Sequence, residues 1–330
     1  MNFSVILDVV ISFSFIYLVL SLVASEIQEL ITTVLQWRSR HLKYSIAKLF
    51  DENNNGTELT EKLWESSLIK SLYQTGKFKP KPVKFEGPSY IDGKLFSEAL
   101  LCIIFDCDDN FPETIDRAIE RIKDTPLIKS ENLKTNLLSL GKLAKVKVEA
   151  GQNEFRQFQH EIENWFDNSM ARASGAYKRN AKGVALIIAF VLAIVVNADT
   201  VYILNSLSKN GTLRQSINQV AENVILSNSE AVSSCLATAE SDANQNQCLN
   251  PIKNQIDTTF NDLSPLPIGW DLSNPWNRQF NPLTPKAIFK VFIGWGVSAV
   301  AISMGAPFWF EFLNKFVNIR NTGKKPNNSQ

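Results

Sequence analysis

The sequence predicts a mainly α-helical integral membrane protein with three transmembrane helices, a helical cytoplasmic domain and a smaller external domain. Three observations predict it. Three stretches reach the roughly 20 mostly apolar residues that a membrane helix needs. Each has basic residues gathered at one end. The polar intervals between them carry apolar residues at helical spacing.

Taken in chain order, the first span covers residues 3–24, the second 183–204 and the third 287–308. No basic side chain precedes the first span, whereas Arg38, Arg40, Lys43 and Lys48 follow it. That charge order predicts an uncleaved anchor with its N-terminus outside, rather than a signal peptide. Arg172, Lys178, Arg179 and Lys182 precede the second span, and Lys315, Arg320, Lys324 and Lys325 follow the third. One arrangement puts all three clusters on the same side. The N-terminus lies outside, residues 25–182 form the cytoplasmic domain, 205–286 the external domain, and 309–330 a cytoplasmic basic tail. The mean hydropathy of -0.08 is low for such a protein because most of the chain lies in the polar intervals.

The cytoplasmic interval reads as a set of helices. The first helix is expected to run on past the membrane toward Leu49. Asn53-Asn-Asn-Gly56 marks a loop. Further helices are expected over 63–73, 93–105, 113–123, 133–143 and 153–181, the last running unbroken into the second span. In the external interval, 213–259 has apolar spacing for a helical pair, and 263–284 is rich in Pro, Asn and Trp. Trp270 and Trp276 suit either the headgroup level or ordinary packing.

The 34 basic and 33 acidic residues nearly cancel, so no field draws the chain to nucleic acid. Cys235 and Cys248 fall in the external interval, where a disulfide is permitted, although spacing leaves open that they stay unpaired. Cys102 and Cys107 fall in the cytoplasmic interval and are expected to be reduced.

Polar residues within the spans narrow the candidate sites. Lys290, Asp199 and Asp8 all lie near the external ends of their spans, and an isolated charge in hydrocarbon is costly. Lys290 is therefore expected to pair with Asp199 or Asp8 and fix helix register; hydration at the interface is the alternative. Gly294, Ser298, Ala301 and Gly305 share one helical face with Lys290 and form a helix-packing face of small residues. At the membrane junction, Lys178, Arg179, Lys315 and Arg320, with Tyr177, are candidates to meet anionic lipid headgroups or simply to set topology. Glu26 and Glu29 are possible partners for them.

Gly294-Trp-Gly-Val-Ser-Ala299 resembles a dinucleotide fingerprint but lies in an apolar span, not at a strand-to-helix turn. No phosphate-binding G-x-x-x-x-G-K-[ST] occurs. Asp106, Asp108, Asp109 and Asn110 begin like a calcium loop, yet Phe111 and Arg117 stand where glycine and glutamate are needed. His41 and His160 are the only histidines, and no zinc-type cysteine pair occurs. No cofactor, metal or catalytic residue is assigned.

Several strings together resemble a widespread group of uncharacterised bacterial membrane proteins. They are Pro88-Ser-Tyr-Ile91, Trp165-Phe-Asp-Asn-Ser-Met170, Ser174-Gly-Ala-Tyr-Lys-Arg179, Asn197-Ala-Asp-Thr200, Gly305-Ala-Pro-Phe-Trp-Phe310 and Gly323-Lys-Lys-Pro326. Their order and spacing match over nearly the whole chain, with Ala176 departing from an aromatic residue usual in the group. The resemblance implies a bacterial inner (plasma) membrane location and a three-span layout, and it implies no activity.

The expected role is that of a non-enzymatic membrane scaffold or assembly protein, whose cytoplasmic helices dock an unidentified protein partner or a second copy. An oligomeric membrane channel or effector is the first alternative. An enzyme whose site joins Asp106, Asp108 and His160 is the second.

Overall fold

The computed structural model describes residues 3–50, 58–73, 87–106, 112, 114–148, 153–239, 242–258, 266–270 and 284–322. Among these residues the chain is mainly helical and contains no strand. It divides into two compact units. One comprises Met1–Leu30 and Ala181–Gln330, the other Ile31–Asn180. Two helices are long and apolar enough to cross a membrane, or three if a bent pair counts as one span.

In the first unit, helix α1 (Phe3–Val34) is the most deeply buried element. Ile11, Phe15, Ile16, Tyr17 and Leu18 have no accessible surface. Around it pack the C-terminal part of α8 (Glu154–Val195), then α9 (Thr200–Lys209) and α10 (Gly211–Thr238). The short helices α11 (Asp242–Cys248) and α12 (Asn250–Thr258), with α13 (Pro285–Ser303) and α14 (Ala306–Thr322), complete the unit. A single core joins Ala189 and Ala193 of α8, Ile217 and Ala221 of α10, Trp295 of α13, and Phe310 and Leu313 of α14 to α1. Burial of each large apolar side chain stabilises by about 1.5–3 kcal/mol.

Pairwise contacts fix the directions of three helices. Tyr17 meets Ser298, and Ser21 donates to the Ile302 carbonyl, so α1 and α13 run parallel. The chain then reverses at Gly305, whose φ of +88° is readily adopted only by glycine. Trp309 stacks on Tyr17 at 5.2 Å, and Arg320 reaches Asp8 near the start of α1 at 3.4 Å. Helix α14 therefore runs back along α1. The Trp309 indole closes the reversal by donating to the Ala301 carbonyl at 2.7 Å.

This reversal corrects the expected basic tail. The span expected over 287–308 ends as a helix at Ser303. Residues 306–322 form a helix whose Trp309, Phe310, Leu313 and Val317 are core. Two ion pairs also join residues that charge counting placed on opposite sides: Arg320 with Asp8, and Lys253 of α12 with Glu26 of α1 at 2.6 Å. Charge counting follows the chain and does not register a helix that turns back on itself.

The second unit holds α2 (Trp37–Phe50), α3 (Glu58–Glu65), α4 (Ser67–Lys70), α5 (Gly93–Phe105), α6 (Ile115–Asp124), α7 (Glu131–Lys147) and the N-terminal part of α8. Its own core centres on Phe50, Phe96 and Phe166, with the last two rings stacked at 3.9 Å. Side-chain caps start its helices: Asp92 for α5, Thr114 for α6 and Ser130 for α7. The expected helix over 63–73 is interrupted because the Ser66 hydroxyl caps a new turn at Ile69. The expected run from α1 to Leu49 breaks at Gln36, which takes φ +45°. Helix α8 continues unbroken from this unit into the apolar stretch of the other, as its sequence predicts.

Candidate functional site

Buried polar side chains, Asn197, Asp199, Thr200 and Ser298, gather where the second apolar stretch breaks. The stretch expected over 183–204 is not one helix. α8 stops at Val195, α9 starts at Thr200, and the two are bent by 54°. Broken helices leave carbonyls and N–H groups without partners, and in an apolar setting each must be satisfied. The residues around the break show how this is done.

At the end of α8, the Trp270 indole donates to the carbonyls of Ile194 and Val195, each at 3.1 Å. The Gly269 N–H donates to the Val196 carbonyl at 2.6 Å. Asn197 takes φ +48°, a conformation asparagine tolerates better than most residues. Its amide donates to the Gly269 carbonyl at 3.3 Å and accepts from the Trp295 indole at 3.2 Å. At the start of α9, the Asp199 carboxylate accepts from the N–H groups of Val201 and Tyr202 at 2.8 and 3.4 Å. It is the N-cap of α9.

Thr200 extends the network into the core. Its hydroxyl, the Tyr17 hydroxyl and the Ser298 hydroxyl form a triangle with 2.8 Å on every side. The Thr200 hydroxyl also lies 3.3 Å from the Gly294 carbonyl. The triangle ties α1, α9 and α13 together. A second buried link joins the Ser12 hydroxyl of α1 to Asn218 of α10 at 2.7 Å.

The small residues of α13 serve this network. A side chain on Gly294 would collide with the Asp199 carboxylate, so only glycine lets the cap approach. Ser298 donates or accepts within the triangle, and Ala301 offers its carbonyl to Trp309. Gly305 turns the chain. The face formed by Gly294, Ser298, Ala301 and Gly305 is thus occupied by the chain's own helices.

The expected ion pair is rearranged. Asp8 pairs with Arg320, which also lies 3.3 Å from Glu222 of α10. Asp199 caps α9, and Lys290 is exposed. Glu26, expected beside the junction arginines and lysines, is taken by Lys253. Of those junction residues, Lys178, Arg179 and Lys315 are exposed, whereas Arg320 is half-buried in the cluster with Asp8 and Glu222.

Cys235 and Cys248 lie at disulfide distance and fasten α11 to the end of α10. Cys102, expected to be reduced, is also disulfide-bonded, with its partner outside the described residues. Trp270 packs at the helix break, while Trp276 lies outside the described residues, as do Cys107, Asp108, Asp109, Asn110, Lys324 and Lys325. His160 sits 3.3 Å from Glu163 on its own helix.

Two segments also meet in the second unit. Gly93, just after Pro88-Ser-Tyr-Ile91, lies against the Asp167 carboxylate of the Trp165-Phe-Asp string. Burial pushes the Asp167 carboxyl above its ordinary value, and the nearby charges of Asp92 and Glu163 push it the same way. The positions of the charges in their spans pointed to Lys290 paired with Asp199 or Asp8. The organising residue is Asp199, and the signal for it was the Asn-Ala-Asp-Thr sequence, an N-cap pattern inside an apolar run.

No protein-family model, curated protein or solved structure matches the chain.

Proposed function

We propose that the chain is a non-enzymatic membrane scaffold of a bacterial inner membrane. The first unit anchors it, and the second unit presents helices to a protein partner or a second copy. The observation that carries this reading is the polar network at the helix break. Its carbonyls, N–H groups and hydroxyls bond to one another and to residues 269–270, so its polar groups act as an internal clamp. An anchor needs such a fixed bundle. The outward side chains agree: Phe289, Phe292, Ile293 and Val300 of α13, and Ile187, Val191 and Val195 of α8, are apolar and exposed, as lipid-facing side chains are.

One observation favours an oligomeric channel as the second reading. α10 packs beside the first half of α1 through Asn218 and Ser12, yet its outer face carries exposed Gln215, Gln219, Asn223, Ser227 and Glu230. Within a bilayer such a face must be kept from lipid, and a ring of copies around water would do so.

Mild-detergent extraction from the native membrane, followed by mass and composition of the complex, separates the two. Co-purification with a different protein in fixed ratio is the scaffold result. A symmetric homo-oligomer with ion conductance in bilayers overturns it in favour of the channel.

A further inference from the structure

The junction between α2 and α8 carries an arrangement that neither reading uses. Trp37 and His41 are one turn apart on α2, and both rings pack edge-on against Tyr177 of α8, at 5.9 and 5.3 Å. Burial pushes the Tyr177 hydroxyl above its ordinary value, and the charge of Arg38 opposes that shift. Arg38, Arg40, Lys178 and Arg179 are all exposed around this aromatic cluster.

Among the described residues no ion pair offsets their charge. No Asp or Glu occurs in residues 31–50 or in residues 168–198. Other basic residues of the unit have carboxylate partners: Lys43 has Glu61, Lys129 has Glu58, Lys145 has Asp116 and Lys147 has Glu161. Among the described residues these four have none. The α1–α2 corner adds a polar atom that wants a partner. The Ser39 hydroxyl is buried, with Ser39 only 5% exposed, and has no hydrogen-bond partner. A buried hydroxyl without a partner is unfavourable, and as a donor it can be satisfied by an acceptor oxygen.

Position identifies the ligand. α8 is continuous, and Tyr177 precedes the apolar run at Gly183 by six residues, about 9 Å along the axis. Aromatic rings with basic side chains at the foot of an apolar helix match the headgroup layer, where the rings lie among glycerol groups and the cations meet phosphate. We propose that Trp37, His41 and Tyr177, with Arg38, Arg40, Lys178 and Arg179, form a binding site for the headgroup of an anionic phospholipid. The site is independent of the scaffold reading, which is tested by protein composition, whereas this one is tested by lipid.

The test uses the full chain in a non-ionic detergent, where membrane orientation has no influence. Short-chain phosphatidylglycerol or phosphatidylcholine is added, and bound lipid is counted by native mass spectrometry. The expected result is retention of phosphatidylglycerol over phosphatidylcholine, weakened about fivefold by each single Arg38→Gln or Arg179→Gln change. Lys123→Gln with Lys142→Gln, removing two charges elsewhere in the unit, is expected to leave the preference intact. Trp37→Leu, which keeps every charge, is expected to shorten lipid retention, a readout that charge loss alone does not explain. The proposal is overturned if the wild-type chain shows no preference, if the junction variants retain it, or if millimolar inorganic phosphate displaces the lipid as well as phosphatidylglycerol does.

Discussion

The Asp199 carboxylate occupies the space in which a side chain on residue 294 would begin. One residue ends the unwound segment of the second apolar stretch, and the other lies within α13. The two are bound by sterics, because the carboxylate is held by two N–H groups of α9 and has nowhere to swing.

Gly294→Ala is therefore expected to destabilise the first unit by more than about 2 kcal/mol, through overpacking and loss of the cap. Gly296→Ala, with nothing within 4 Å of the added carbon, is expected to be neutral or to stabilise by up to about 1 kcal/mol. Thermal unfolding of the two variants in the same detergent checks the contrast. Equal melting temperatures would show that Asp199 does not sit against α13.

Tyr17→Phe removes one corner of the hydroxyl triangle and leaves the ring stacked on Trp309. The expected loss is about 1–3 kcal/mol, since Thr200 and Ser298 are buried with it. Ser298→Ala is expected to cost a similar amount. The double variant should cost clearly less than the sum, because both changes break one network. Strict additivity in that double-mutant cycle would deny the network.

Arg320→Gln strips the shared partner from Asp8 and Glu222 and leaves two like charges close together. Lys290→Met removes an exposed charge with no carboxylate in direct contact. The first is expected to lower the melting temperature in detergent by several degrees and the second hardly at all. The reverse order would restore Lys290 as the organising charge.

Replacing Cys235 and Cys248 together by serine opens the loop that holds α11 against α10. About 3 kcal/mol of loop-closure stabilisation is at stake. Hydrogen exchange should rise first in α11 and α12 and leave α1 protected. Uniform loss of protection would mean that these helices unfold with the bundle.

Asp167 gives a pH dependence with a definite sign. Its folded carboxyl titrates above the ordinary aspartate value because of burial and the charges of Asp92 and Glu163. The folded state thus holds this proton more tightly than the unfolded state does. Its contribution to stability is fully present below the unfolded value, near 3.9, and is lost as pH rises through the folded value. Asp167→Asn should remove that loss, so the variant gains on wild type as pH rises through the same window. Unfolding of the full chain in detergent, followed across pH 3–7 by a probe in the second unit, reads the difference. A constant difference between the two proteins would show that Asp167 titrates normally.

How much of this could be read beforehand depends on the range of the interaction. The helix over 93–105 was legible with both ends, because Asp92 caps it locally and Phe105 ends its apolar periodicity. The long run of α8 from the polar into the apolar interval was legible for the same reason. The break at Val196–Asp199 was not, because hydropathy averages across it, although its Asn and Asp were visible. Nor was the return of α14. Residues 309–322 carry charge and asparagine on one face, which resembles a tail until Trp309 and Phe310 are seen against α1.

The sequence by itself determined what is local: which segments are helical and which stretches are apolar enough for lipid. Only the tertiary structure decided which charges meet. Asp8 goes to Arg320 and Glu26 to Lys253 because the reversal at Gly305 and the packing of α12 bring residues hundreds of positions apart to the same level of α1. Hydropathy and capping act over one or two turns, whereas partner choice depends on how whole helices pack, which no window along the chain contains.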